Sequence, residues 1–191
     1  IEDGLRRMYK EREDIFYYLT LYNENYVMPP MPEGAAPGIL KGLYLFQASG
    51  LPEERPRVQL LGSGSILGEA LRAQQILAER FGVAADVWSA TSYKELRREA
   101  LECERFNMLH PGEEPRVPYV TSLLGAARGP VVAVSDFMKL VPDQIARWAR
   151  SRDGREVLSC AGIDPNERVV KGLMEFVGKG VRTSVALSRE E

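Results

Sequence analysis

Four places in this sequence set polar groups where chemistry could use them. The first is Gly62-Ser63-Gly64-Ser65, between an apolar run and a helical pattern. A small-residue turn of this kind can cradle a phosphate on the free amides of a helix start. The dinucleotide fingerprint, however, would put its third glycine where Leu67 stands, and a phosphate loop would need Gly-Lys followed by Ser or Thr, which is absent. A plain tight turn and a turn that touches a ligand or a subunit both remain open. The second is the set of small polar residues after the apolar runs: Ser63 and Ser65, Ser89 and Thr91, Ser135 and Asp136, and Cys160. In an open parallel sheet these gather at the carboxyl ends of the strands, where ligands bind. None of them stands beside a base.

The third is His110, the single histidine, at the start of a loop rich in Pro and Gly. Histidine suits acid–base work near neutral pH, and it equally suits anchoring a loop by hydrogen bonds. A nucleophile elbow of Gly-x-Ser-x-Gly type is missing, so a hydrolase triad is disfavoured. The fourth is Tyr22-Asn-Glu-Asn-Tyr-Val-Met-Pro29, where polar and aromatic groups crowd the end of a predicted strand. Cys103 and Cys160 lack a Cys-x-x-Cys partner, so neither a disulfide framework nor a zinc site is indicated. Glu102 and Glu104, near Arg97, Arg98 and Arg105, read as a solvated helix face or a polar subunit contact. Trp88 and Trp148 read as packing residues.

The elements that must carry these groups follow from pattern. With 191 residues, 45% of them hydrophobic and 27% charged, the chain holds one complete core. The formal charge of −2, with neither sign dominating a long stretch, argues against a nucleic-acid or anionic-membrane surface, and no apolar run reaches the ~20 residues of a membrane span. Ile1 to Lys10 reads as a helix already in progress, and so as a cut end. A β-branched and aromatic run from Asp14 to Tyr22 follows and reads as a strand. A proline-rich linker spans residues 29–37. Beyond it, strands are predicted at Leu40 to Phe46, Val58 to Leu61, Ala85 to Ser89, Val131 to Val134 and Val157 to Cys160. Helices are predicted at Ile66 to Phe81, Tyr93 to Phe106, Tyr119 to Ala127, Pro142 to Ala149 and Pro165 to Val177. Ser92 with Glu95 forms a capping box, and Leu67, Ala70, Leu71, Gln74, Leu77 and Phe81 form the core stripe of the first long helix. Repeated β-α units specify an α/β domain, a doubly wound and mainly parallel sheet with helices on both faces.

Asp14-Ile-Phe-Tyr-Tyr-Leu-Thr-Leu-Tyr-Asn-Glu-Asn-Tyr26, Val58-Gln-Leu-Leu-Gly-Ser-Gly-Ser65, Cys103-Glu-Arg-Phe-Asn-Met-Leu-His-Pro111 and Pro115-Arg-Val-Pro-Tyr119 closely resemble the homodimeric bacterial pyruvate dehydrogenases. The match runs from Ile1 to about Trp148. The resemblance implies that residues 1–28 end a pyrimidine-binding domain, that 29–37 link it onward, and that 38–191 form a transketolase-type C-terminal domain. It implies a parent enzyme that uses thiamine diphosphate and magnesium to decarboxylate pyruvate and pass the acetyl group to the lipoyl-bearing acetyltransferase component of a multienzyme complex. That parent is a cytoplasmic homodimer, with no nucleic acid or membrane partner. This stretch of chain would supply scaffold and dimer surface, be inactive alone, and carry neither cofactor nor metal. Glu24, Asn25 and Tyr26 are the residues expected near the active site, with His110 after them, and Val27 stands where the family often has histidine. A transketolase-like enzyme acting on sugar phosphates is one alternative; a non-catalytic anion-binding or oligomerisation module is another. Beyond Trp148 the resemblance fades.

Overall fold

The computed structural model describes residues 1–19, 21, 27, 29–151 and 157–161. Five strands form one sheet: β1 (Leu43–Gln47), β2 (Arg57–Gly62), β3 (Ala84–Ala90), β4 (Val131–Ser135) and β5 (Val157–Ala161), in the order β1-β3-β2-β4-β5. β2, β3, β4 and β5 pair in parallel, while β1 runs antiparallel on β3. The α/β, mainly parallel architecture is therefore the one expected, with an antiparallel edge strand.

Side-chain alternation sorts each inner strand between two cores. Val58 and Leu60 of β2, Ala85 and Val87 of β3, and Val132 and Val134 of β4 meet helix α3 (Ile66–Phe81) through Ile66, Ala70, Ala73 and Leu77. Their neighbours Leu61, Trp88, Val131 and Ala133 point the other way. There they meet α4 (Tyr93–Leu109), α5 (Tyr119–Leu124) and the stretch containing Ile145, Trp148 and Ala149. Helices thus cover both faces, as right-handed crossovers require when the chain first steps from β2 to β3 and then back across to β4. A sixteen-residue helix spans ~24 Å and six strand residues ~20 Å, so α3 overruns its strand. Phe81, expected in the core stripe, sits on that last turn and is 45% exposed.

Local chemistry sets the helix ends. Ser92 has extended backbone, and its hydroxyl accepts the Glu95 amide at 3.1 Å, the expected cap of α4. The Glu95 carboxylate turns instead to Arg98. Gly129 lies at φ +83°, and a Cβ there would fall 1.7 Å from the Arg57 carbonyl oxygen, so only glycine admits the entry to β4 past the start of β2.

Several expectations are corrected. Residues expected to open a strand at Leu40 lie in helix α2 (Ala36–Lys41), which Pro37 favours in its first turn; the chain turns at Gly42 and the strand begins at Leu43. The helix expected over Pro142 to Ala149 is α6 (Leu140–Asp143) followed by tight turns, Ile145 N to Pro142 O at 3.2 Å and Trp148 N to Ile145 O at 3.0 Å. Pro142 falls in the first turn of α6, and beyond Asp143 the amides of Gln144, Ile145 and Ala146 reach back three residues rather than four, so the helix tightens instead of extending. At the N-terminus, α1 (Glu2–Leu5) widens into a π-turn over Arg6–Lys10. Residues 15–19 and 21 are irregular rather than a strand. A strand needs a neighbour to complete its ladder, and here Phe16, Tyr18 and Leu21 are largely exposed. The helix expected at Pro165 to Val177 lies outside the described residues. Among the described residues no helix is long and apolar enough to cross a membrane.

Candidate functional site

The strand order reverses between β2 and β4, and in doubly wound sheets that is where a crevice opens at the carboxyl ends. Here two hydroxyls bridge it. The buried hydroxyls of Ser63, after β2, and Ser135, at the end of β4, lie 3.0 Å apart, and the Ser135 hydroxyl also accepts the Phe137 amide at 3.0 Å. A Cβ on Gly62 would stand 2.9 Å from the Leu67 Cα, so this glycine lets α3 close tightly onto the strand. The amides of Ile66, Leu67 and Gly68 are bonded to the carbonyls of Ser63, Gly64 and Ser65 at 3.2–3.3 Å, so these three are not offered to a phosphate. Of the two readings of Gly62 to Ser65, the arrangement favours the plain turn.

His110 follows the last turn of α4 and is exposed. Its Nδ1 lies 2.9 Å from the Phe106 carbonyl oxygen, and since a carbonyl only accepts, Nδ1 is the donor. The imidazole stacks on the Phe106 ring, 4.2 Å between centroids, and the Arg116 guanidinium lies 3.4 Å from the same ring. Asn107 clamps the loop: its side-chain amide donates to the Arg116 carbonyl at 2.9 Å and its oxygen accepts the Arg116 amide at 2.7 Å. His110 is therefore built into a loop anchor. Because α4 returns antiparallel to β3, it also stands toward the amino ends of the strands, away from Ser63 and Ser135. Glu24, Asn25 and Tyr26 lie outside the described residues.

Sequence reasoning missed the most extensive polar cluster. Asp86, inside β3, accepts Arg57 at 2.7 and 2.8 Å, Gln59 at 3.0 Å and the Ser49 amide at 2.8 Å. Gln59 in turn accepts the Trp88 indole N–H at 2.7 Å and donates to the Arg128 carbonyl at 2.9 Å. The available signal was an acid in the middle of an apolar strand, which must find partners if it is buried. The cluster lies toward the amino ends of the parallel strands, opposite to where substrates bind; three groups, Arg57, Gln59 and the Ser49 amide, fill the Asp86 carboxylate, while the Arg57 Nε is buried without a partner. Glu104 is corrected too: it accepts the Trp148 indole N–H at 2.8 Å and pairs with Arg147, so it tethers the far side of the core rather than merely facing solvent. On the same helix, burial and a bond to Glu99 push the Cys103 thiol up to about 11. Burial likewise raises Tyr93 well above its ordinary value.

Chemically these groups amount to two buried hydroxyls bonded to each other, one histidine held in a loop, and an ion-pair cluster centred on Asp86. Among the described residues no group of three or more His, Cys, Asp or Glu is placed to hold a metal ion. With the α3 amides turned inward as well, these residues do not fit magnesium and a diphosphate.

Comparison with known proteins gives three family matches. Residues 42–161 match the transketolase-like C-terminal domain, residues 1–29 the middle domain of the pyruvate dehydrogenase E1 component, and residues 140–191 a family of unknown function. The pyruvate dehydrogenase E1 component of Pseudomonas aeruginosa is 51% identical over 153 residues, 80% of this chain and 17% of that protein. The one from Escherichia coli is 49% identical over 156 residues, 81% and 17%. The one from Mycobacterium tuberculosis is 50% identical over 151 residues, 78% and 16%. The chain thus spans about a sixth of the length of the curated relatives it matches.

Proposed function

Because the chain belongs to the transketolase-like C-terminal domain family, we propose that it works as the C-terminal part of a pyruvate dehydrogenase E1 component, the part that shapes and braces the enzyme rather than the part that performs its chemistry. The observation that carries this reading is the likeness of about four fifths of the chain, at close to 50% identity, to proteins of that name. The Asp86 carboxylate filled by Arg57, Gln59 and the Ser49 amide, and the Ser63–Ser135 hydroxyl bond at the switch point, tie strands together and support a bracing role. On this reading residues 1–28 end the preceding pyrimidine-binding domain, 29–37 link the two, and 38–191 form the C-terminal domain. The parent is a cytoplasmic homodimer that takes thiamine diphosphate and magnesium in its earlier domains, decarboxylates pyruvate and hands acetyl to a lipoyl-bearing partner.

Glu24, Asn25 and Tyr26 then stand nearest the reacting groups, and His110 anchors its loop. The experiment is an activity assay of the parent protein with pyruvate and, separately, with ketose phosphates. Turnover of pyruvate alone is expected, falling at least tenfold in Glu24→Gln and less than twofold in His110→Ala. Turnover of ketose phosphates in place of pyruvate would overturn the reading.

A further inference from the structure

The chain enters the sheet at its carboxyl rim. Helix α2 ends against the last residues of β3: the Thr91 hydroxyl donates to the Ile39 carbonyl at 2.8 Å, the Thr91 and Ser92 amides donate to the Gly42 carbonyl at 2.9 and 3.2 Å, and Leu43 opens β1 opposite Ala90. Chain that precedes α2 therefore arrives within ~9 Å of this rim, the length of six helical residues. The N-terminal segment reaches the same place, where Phe16 lies against Lys94 in the first turn of α4, 5.8 Å from ammonium to ring centre. Two strand places away, roughly 10 Å, the rim carries the turn after β4. That turn is held at three points: the Phe137 amide on the Ser135 hydroxyl at 3.0 Å, the Val141 amide on the Met138 carbonyl at 2.9 Å, and Lys139 on Asp143 at 2.5 Å. It nevertheless presents Phe137, Met138 and Leu140 to solvent. An ordered turn that exposes three apolar side chains within four residues is a surface prepared for a neighbour, because the freedom that docking would remove is already gone.

We propose that the carboxyl rim of the sheet, from Leu40 and Lys94 to Phe137, Met138 and Leu140, is the face on which the preceding domain sits, the one that residues 1–28 end. The inference rests on that reading of residues 1–28, and it adds which side of the sheet the domain covers and which residues meet it. Two observations choose this occupant over a second copy of the chain. Phe16, from the segment that matches the middle domain of the pyruvate dehydrogenase E1 component, already stands at the rim, and the linker feeds into the same rim. A domain attached at that point is held beside this face at high effective concentration. The partner surface it fits is apolar and aromatic, as Phe16 over the Lys94 ammonium shows in small. The exposed pair Met108 and Leu109 provides the contrast, since it lies ~21 Å further along α4, toward the amino ends of the strands.

The test compares methionine oxidation by peroxide, read residue by residue by mass spectrometry, in the 191-residue chain and in the parent protein. Met138 is 69% exposed and Met108 77% exposed, so both should oxidise quickly in the 191-residue chain. In the parent, Met138 is expected to oxidise at least tenfold more slowly, while Met108 stays within twofold. Cover supplied by any other part of this chain is common to both samples and cancels. An unchanged Met138 rate or equal slowing of both methionines overturns the proposal. So does protection of Met138 that disappears when the parent is diluted, which would assign the rim to a second copy. In a second measurement, Met138→Glu should lower the melting transition of the parent and leave that of the 191-residue chain unchanged, whereas an equal fall in both overturns the proposal. Pyruvate turnover by a parent whose Met138 is unprotected overturns this inference alone, and ketose phosphate turnover with Met138 protected overturns the catalytic reading alone.

Discussion

Replacing Asp86 by alanine removes the acceptor on which Arg57, Gln59 and the Ser49 amide all converge. Breaking a fully buried pair by deleting one partner costs about 3–5 kcal/mol. Here both side chains keep 13% exposure, so some water reaches the stranded guanidinium, and the lower end, about 3 kcal/mol, is expected. With a urea slope of about 1.5 kcal/mol/M for a domain of this size, the unfolding midpoint should fall by roughly 2 M. Asp86→Asn keeps an oxygen for the Ser49 amide and loses the charge, for about half that loss. The pair Arg57→Met with Asp86→Leu leaves no stranded charge, Gln59 keeps the Arg128 carbonyl, and the main remaining cost is the Ser49 amide. Its stability should therefore return to within about 1 kcal/mol of the parent chain. Urea titration followed by Trp fluorescence reads all three. A loss below about 1 kcal/mol for Asp86→Ala, or a double variant no better than Asp86→Ala, would refute the reasoning.

Gly129→Ala should unfold the domain or cost more than about 3 kcal/mol, since it combines a positive φ with a Cβ inside the Arg57 carbonyl; circular dichroism against temperature checks this. Asn107→Ala frees the loop from His110 to Val117, and trypsin should then cut after Arg116 at least tenfold faster, whereas an unchanged rate would show that the clamp holds nothing. The Cys103 thiol, raised from 9.0 to about 11, should at pH 8 carry roughly a hundredfold less thiolate, and a disulfide reagent should label it correspondingly slowly in a Cys160→Ser background until urea unfolds the chain. The sign for stability follows: the unfolded thiol ionises first, so stability falls as pH climbs from about 9 toward 11, and a flat profile across that window contradicts the assignment. Limited proteolysis is expected to cut between Met28 and Pro37, and removal of residues 1–28 should leave the melting transition of the remainder nearly unchanged.

What was legible in the sequence was whatever depends on near neighbours along the chain. Ser92 capped α4 as read, and the apolar runs of β2, β3 and β4 formed the parallel centre of the sheet. The strand order, and the antiparallel setting of β1, rest on contacts between distant residues that no local pattern encodes. The run from Asp14 to Tyr22 carries every local mark of a strand, yet its described residues adopt none, because propensity cannot replace a missing ladder partner. Pro37, read as the end of a linker, opens a helix that runs to Lys41, past the Leu40 where a strand was expected to start, and Pro142, read as the first residue of a helix, lies within one that ends at Asp143. At the candidate site, the small polar residues after β2 and β4 were picked out correctly as a group; that Ser63 and Ser135 would spend their hydroxyls on each other could be learned only from their separation in space.

The first strand of the sheet, β1, and the last, β5, occupy opposite margins, with the other three between them. Chain that precedes Leu43 and chain that follows Ala161 are therefore coupled across the full width of the sheet, through four successive ladders of backbone hydrogen bonds. Tension applied between those two ends passes through β2, the central strand, and is shared by α5, whose Tyr119 hydroxyl holds the Leu43 carbonyl and whose Thr121 hydroxyl holds the Trp148 carbonyl, so the domain acts mechanically as a stiff plate spliced into the chain, able to set the spacing and relative orientation of whatever is attached at its two margins.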